Sequence, residues 1–390
     1  MRTAAAAGAA ILILVLGGCG KGGDERGQTP ERLGDPEGAL DLVVPPGYLG
    51  RTAGGPPIDL VGAFERRTGC RVSDTQAESP GKVTALVGSG RYDGVLARGD
   101  AGRGLIEHGH VDPINTDLIP NYADVFPQLK DLPHDTVDGV HYGIPQGRSA
   151  NLLIWVPAVV ERDRDEFVSS DLIFDPELAA RYAGRVTIMD DPLYIAEAAI
   201  YLREHEPELG IENVFELDEE QFDAAIELLK EQRAFVGRYS SGPSDNARAF
   251  ASGAAVAGTG SLLTTSELRR RGVKVDTAIP KEGATGQSDT WMMSSRARHP
   301  NCMYLWMDFV LGPEANAAVA VRTGQAPANE RACNLIGAHC DEFRAADEEL
   351  FDDVEYTTTP LRDCGDDRGE ACRTYDEWAR AFAEVRGMGR

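Results

Sequence analysis

Between Leu40 and Leu96 the chain alternates short apolar runs with amphipathic segments, and this order restricts the fold to one built on a parallel sheet. Leu40-Asp41-Leu42-Val43-Val44 has the composition of a strand. Asp59 to Thr68 follows as a helix, with Leu60, Ala63, Phe64 and Arg67 on one face and Gly69 as its C-terminal stop. A short strand at Cys70-Arg71-Val72, a helix near 82–87 and a strand at Gly94-Val95-Leu96 complete a βαβαβ series. Parallel strands need crossover connections, so the series predicts helices on the faces of a parallel sheet.

The middle of the chain repeats the theme. Arg185-Val186-Thr187-Ile188-Met189 predicts a buried strand that runs into Asp190-Asp191-Pro192. Asp191 sits at an N-cap position and Pro192 at a first helical position, ahead of a stripe of Ile195, Ala198, Ala199 and Leu202. A second helix starts after Asp218, with Gln221 as its capping-box partner and Phe222, Ala225, Ile226 and Leu229 as its apolar face. Helices over 301–311 and 313–323 are split by Gly312-Pro313. The last helix begins at Thr374, is closed by Glu377, and buries Tyr375, Trp378, Phe382 and Val385.

The N-terminus carries targeting information. Met1-Arg2-Thr3 precedes a 15-residue uncharged run, Ala4 to Gly18. A bilayer span needs about 20 apolar residues, so this run reads as the core of an export signal. It ends in Leu16-Gly17-Gly18-Cys19, which resembles the lipobox of bacterial lipoproteins. The resemblance implies cleavage before Cys19 and a diacylglycerol on its thiol. Residues 1–18 are then a signal peptide, and 19–39 a lipidated cysteine with a flexible tether. The expected location is the extracellular face of the cytoplasmic membrane.

A mature chain of 372 residues exceeds what one core usually serves, so two lobes are expected. The net charge of −24 disfavours nucleic acid, because phosphate backbones are repelled. Besides Cys19 there are six cysteines, an even number that favours disulfides in an exported chain. Cys333/Cys340 and Cys364/Cys372 are close enough to close small loops, which leaves Cys70 and Cys302; about 15 connectivities stay open.

A search for chemistry finds little. There is no Walker-type phosphate loop and no Gly-x-Ser-x-Gly elbow. His108-Gly109-His110 lies in a polar stretch and reads as a surface loop. Asp190-Asp191 offers paired carboxylates, but capping explains at least one of them. No base assembles with a nucleophile or metal set, so the expectation is a ligand receptor rather than an enzyme, without cofactor or metal.

Three blocks carry a family resemblance. They are Asp171-Leu172-Ile173-Phe174-Asp175-Pro176-Glu177 running on to Tyr182-Ala183-Gly184-Arg185 and Met189-Asp190-Asp191; Ile279-Pro280-Lys281-Glu282-Gly283 with Asp289; and Trp306-Met307-Asp308-Phe309-Val310-Leu311-Gly312-Pro313-Glu314-Ala315 running on to Gly324-Gln325-Ala326-Pro327-Ala328-Asn329. In order and spacing they are similar to spermidine/putrescine receptors of ABC importers. The resemblance implies an α/β, two-lobed periplasmic-binding-protein fold (type II) with a two-strand hinge. Lobe 1 would comprise 40–148 and 289–333, and lobe 2 would comprise 149–288 and 334–390. A monomeric receptor would trap a small molecule between them and deliver it to permease and ATPase subunits on other chains.

Carried over by position, the resemblance implies that Asp191 and Asp289 hold ammonium groups. Other pocket positions depart from the family: Tyr194 replaces an acid, Gln287 and Ser261 replace tryptophans, and Gln325 replaces a tyrosine. Arg98 and Asp100 replace a serine and a tyrosine, and Arg148 an aromatic residue. Two ligand classes follow. One is a polyamine. The other is a zwitterion or anion, such as an amino acid or aminophosphonate, clamped by Arg98 and Arg148 while Asp191 or Asp289 holds an amine. A third reading makes both arginines rim residues paired to surface acids. An exported enzyme or signalling co-receptor on the same fold is the remaining alternative.

Overall fold

Parallel strands and crossover helices build the sheet that the opening βαβαβ pattern requires. The computed structural model describes residues 29–46, 48–49, 59–77, 79–161, 168–364 and 371–387. The signal peptide, Cys19 and the start of the tether lie outside them.

The strands are β1 (Ala39–Val44), β2 (Arg71–Gln76), β3 (Gly94–Ala97), a small hairpin of β4 (Thr136–Val137) and β5 (Val140–His141), and the long β6 (Gly143–Trp155). They continue with β7 (Val186–Met189), β8 (Val236–Ser240), β9 (Ala257–Ser261), β10 (Asp276–Ala278), β11 (Ala284–Met293), β12 (Ala326–Pro327) and β13 (Val354–Tyr356). The main path runs β2-β1-β3-β11-β6-β9-β7-β8. On one side, β1 is parallel to β2 and β3. On the other, β7 is parallel to β8 and β9. β11 and β6 join the two sides as antiparallel neighbours. The lobe boundaries expected at 148/149 and 288/289 fall inside these two strands.

Local sequence signals explain most helix ends. Asp59 accepts from the Gly62 amide at the start of Leu60–Thr68, and Gly69 ends that helix at φ 77°. Asp218 and Gln221 form a capping box on Glu219–Gln232, as do Thr374 and Glu377 on Tyr375–Val385. Each apolar stripe then meets a core. Phe64 packs edge-on against Trp306, with ring centroids 5.0 Å apart. Trp378, Phe382 and Val385 bury against the second side.

The structure changes one expectation and adds a contact to the crossing. The tether expected over 19–39 is pinned along its described part. Pro30 accepts a hydrogen bond from Asn115 at 3.0 Å, and Glu37 accepts from the amides of Asn301 (3.0 Å) and Cys302 (2.9 Å). Glu37 thereby serves the exposed N–H groups that begin the helix Pro300–Leu311. In addition, a third segment touches both sides. After β13, the Thr359 hydroxyl meets the Asp100 carbonyl (3.0 Å) and the Gly104 amide (3.1 Å), while the chain returns to the second side where Arg373 N–H donates to the Leu217 carbonyl. A side chain at Gly99 would come within 1.9 Å of the Thr357 carbonyl, so glycine is what allows this crossing.

The disulfides are Cys70–Cys302, Cys333–Cys340 and Cys364–Cys372. The first joins positions 232 residues apart, and both of its cysteines are fully buried. Long-range closure restricts the unfolded chain most. Replacing both cysteines by serine lowers unfolding free energy by about 2–5 kcal/mol in a urea titration. An unchanged midpoint would contradict this role.

Candidate ligand-binding site

The C-terminal ends of β3, β7, β8 and β9 open onto one cleft of about 320 Å³. Open α/β sheets bind their ligands at such strand ends. Arg98 follows β3, Met189-Asp190-Asp191 end β7, Ser240-Ser241-Gly242 end β8, and Ser261 ends β9. The shared strands add Ser149 and Asn151 from β6 and Gln287 from β11, and Gln325 approaches from the turn after the helix Pro313–Thr323. Among the described residues lining the cleft, none is aromatic.

One ion pair spans the opening. The Arg98 guanidinium lies 3.6 Å from Asp191 on the opposite side and 3.8 Å from Asp100 on its own. Asp100 is buried behind it in the first turn of the helix Gly99–Glu107. Burial pushes the Asp100 carboxyl up, against the pull of Arg98. The other oxygen of Asp191 accepts from the Leu193 amide at 3.0 Å. That bond closes a turn ahead of the helix rather than capping it: the helix starts at Tyr194, two residues later than Pro192 suggested, and its N-cap is Leu193. Asp190 is paired with Arg386.

Five expected site residues line the cleft: Arg98, Asp191, Ser261, Gln287 and Gln325. Four do not. Arg148 is fully buried and neither clamps a ligand nor sits on the rim. It donates to the Ala345 carbonyl at 2.8 Å and lies 3.8 Å from the Phe351 ring centre. The cause is strand alternation: Ser149 and Asn151 face the cleft, so Arg148 faces the opposite side of β6. Tyr194 is fully buried too, accepting from Gln232 at 3.0 Å with its ring beside Phe174. Asp100 stands behind Arg98. Asp289 stands behind Gln325, whose amide donates to it at 3.0 Å. Burial raises the Asp289 carboxyl to about 6, partly offset by that hydrogen bond.

The sequence reading missed Asn151, Ser240, Ser241 and Asn246. Asn246 is 2% exposed; its amide donates to the Thr259 carbonyl at 2.7 Å while its own oxygen has no partner among the described residues. Ser240 and Ser241 were findable, since they end a parallel strand. Asn151 donates to the Thr285 hydroxyl at 2.7 Å, and Thr285 in turn donates from its hydroxyl and amide to Glu197. This chain links the cleft through β6 and β11 to the helix Tyr194–His205. Two groups have metal-ligand character, Asp41/Asp93/His299 and Asp171/His205/Glu282. In the first, Asp93 is engaged by four protein donors: the amides of Asp41, Arg298 and His299 and the His299 ring. In the second, Ser169, the Ser170 amide and His205 engage Glu282.

A polar cleft at sheet edges, between two sides joined by two shared strands, defines a solute-trapping protein. Residues 59–343 match the family of bacterial extracellular solute-binding proteins, and the chain belongs to that family. It is a family of binding proteins that hand small molecules to ABC importers, not of enzymes. The chain is 21% identical over 313 residues to a putrescine/cadaverine-binding protein of Pseudomonas aeruginosa, covering 78% of this chain and 85% of that one. In fold it is similar to a putative spermidine/putrescine ABC transporter protein from Listeria monocytogenes, with TM-score 0.68, 17% identity and coverage of 90% and 99%. A structure described as a GABA receptor is also similar, with TM-score 0.60, 17% identity and coverage of 90% and 96%. No helix among the described residues is long and apolar enough to cross a membrane.

Burial raises Glu197 to about 7, against the hydrogen bonds from Thr285 and Asn151. A raised folded pKa contributes stability that is full below the unfolded value, near 4, and is lost as pH rises through about 7. His134, pushed down to about 4 by burial, acts in the opposite sense and loses its contribution as pH falls. Glu197→Gln isolates the first effect. Between pH 5 and 8 the wild type loses about 2 kcal/mol more stability than the variant, read from urea unfolding at each pH. Parallel pH curves would contradict the buried acid.

Proposed function

We propose that the chain is an exported, lipid-anchored receptor, of the polyamine-receptor family, that captures a small amine and delivers it to an ABC importer. The observation that carries this reading is Asp191, a carboxylate at the end of β7 that faces the cleft and is 28% exposed. Its oxygen would take a charge-assisted hydrogen bond from the ligand's ammonium. The relatives described as putrescine-binding support the same class. The two sides would close on the ligand by bending at β6 and β11, the switching mode of hinged receptors. The lipobox at Cys19 supports an anchor on the outer face of the cytoplasmic membrane, and the receptor would act there as a monomer.

The zwitterion clamp keeps less support. Arg148 is out of reach, and Arg98 already faces two carboxylates.

Calorimetric titration of the protein from Gly20 onward tests the proposal, with diamines, spermidine, amino alcohols and amino acids as ligands. The expected result is saturable one-to-one binding of a small amine, weakened at least tenfold in Asp191→Asn, equivalent to about 1.4 kcal/mol. Equal affinity of wild type and variant would contradict the role of Asp191, and silence toward every amine would contradict the ligand class.

A further inference from the structure

Of the acids that line the cleft, Asp191 alone is placed to meet a ligand cation, since Asp190 is paired with Arg386. The acids that line the cleft each face an arginine. Arg98 lies between Asp100 and Asp191, and Arg386 holds Asp190; Asp289, behind the cleft, takes the Gln325 amide on one oxygen, and its other oxygen has no partner among the described residues. One guanidinium between two carboxylates leaves a single residual negative charge. An ammonium placed on Asp191 meets the Arg98 guanidinium on the same carboxylate, and a second ammonium finds no open acid among the described lining residues.

The rest of the lining suits a different chemistry. No aromatic ring is among the described lining residues, so they offer a bare polyamine chain no cation–π contact. Ser149, Ser240, Ser241, Ser261 and Gln287 present hydroxyls and an amide instead. Besides the Arg98 Nε, three polar atoms of the lining residues are buried and without a partner among the described residues: the Asn246 and Gln325 side-chain oxygens and the Ser261 hydroxyl. Buried polar atoms call for hydrogen-bonding groups on whatever fills the space. A hydroxyl both donates and accepts, so it serves oxygens and hydroxyl alike.

Resting on the receptor reading above, we propose that Arg98 takes the place of one ligand ammonium, so that the receptor selects solutes with a single cationic end and a hydroxyl- or amide-bearing other end. Arg98 is then the specificity-determining residue. It reaches from the end of β3 across to Asp191 and neutralises the charge that a second ammonium requires.

The test uses matched four-carbon probes, putrescine and 4-aminobutan-1-ol, titrated calorimetrically into wild type, Arg98→Ala and Arg98→Gln. Arg98→Gln keeps most of the side-chain volume if the alanine variant folds poorly. Wild type is expected to bind the amino alcohol at least tenfold more tightly than putrescine. Both variants are expected to shift the ratio tenfold or more toward putrescine. A wild type that prefers putrescine, or a ratio unchanged in both variants, overturns the assignment of Arg98 and leaves the receptor reading standing. Silence of all three proteins toward both amines overturns the two readings together.

Discussion

The antiparallel pairing of β6 with β11 is the constraint on which the rest of the molecule depends. β6 pairs with β11 over 143–150 and with β9 over 151–155, so one strand serves both sides of the sheet. β11 meets β3 on its other edge and β13 at its start. Register here fixes which side chains see the ligand. Ser149, Asn151 and Gln287 point into the cleft, whereas Arg148 and Leu152 belong to the packed face. A slip of one residue would exchange the two sets and drive an arginine into the cleft. The hydrogen-bonded chain from Asn151 through Thr285 to Glu197 adds a polar tie at the same crossing.

Ligand chemistry follows from what those strands deliver. Four strand ends bring small hydroxyl and amide side chains together, and one arginine and one aspartate arrive from opposite sides. The Arg98–Asp191 pair is partly exposed, with side chains 33% and 28% accessible, so its net worth is small and sensitive to salt. Such a pair is suited to exchange partners with a ligand. A fully buried pair would hold the cleft shut, because separating it leaves an uncompensated charge.

Much of the fold was legible because the signals were local. Asp59 with Gly69, Asp218 with Gln221, and Thr374 with Glu377 each mark a helix end within a few residues, and the apolar stripes between them have helical period. The site was legible only in part. Position along the chain brings Arg98, Asp191, Ser261, Gln287 and Gln325 to the cleft lining. It did not identify the face on which a residue lies, and that is why Arg148 and Tyr194 were misassigned. Arg148 is turned inward by strand alternation, and Tyr194 by a helix that begins later than its proline implied. Asn246 was passed over because strand order across the sheet, which brings the helix after β8 to the cleft, is a long-range property that no short pattern carries. The pinned course of residues 30–37 likewise depends on partners more than 80 positions away.

The central claim is that two sides joined by β6 and β11 close on a small amine. Small-angle X-ray scattering of the protein from Gly20 onward, with and without an amine that saturates it, tests this most directly. Closure gives the saturated protein a smaller radius of gyration. Saturation with no change in the radius of gyration would contradict it.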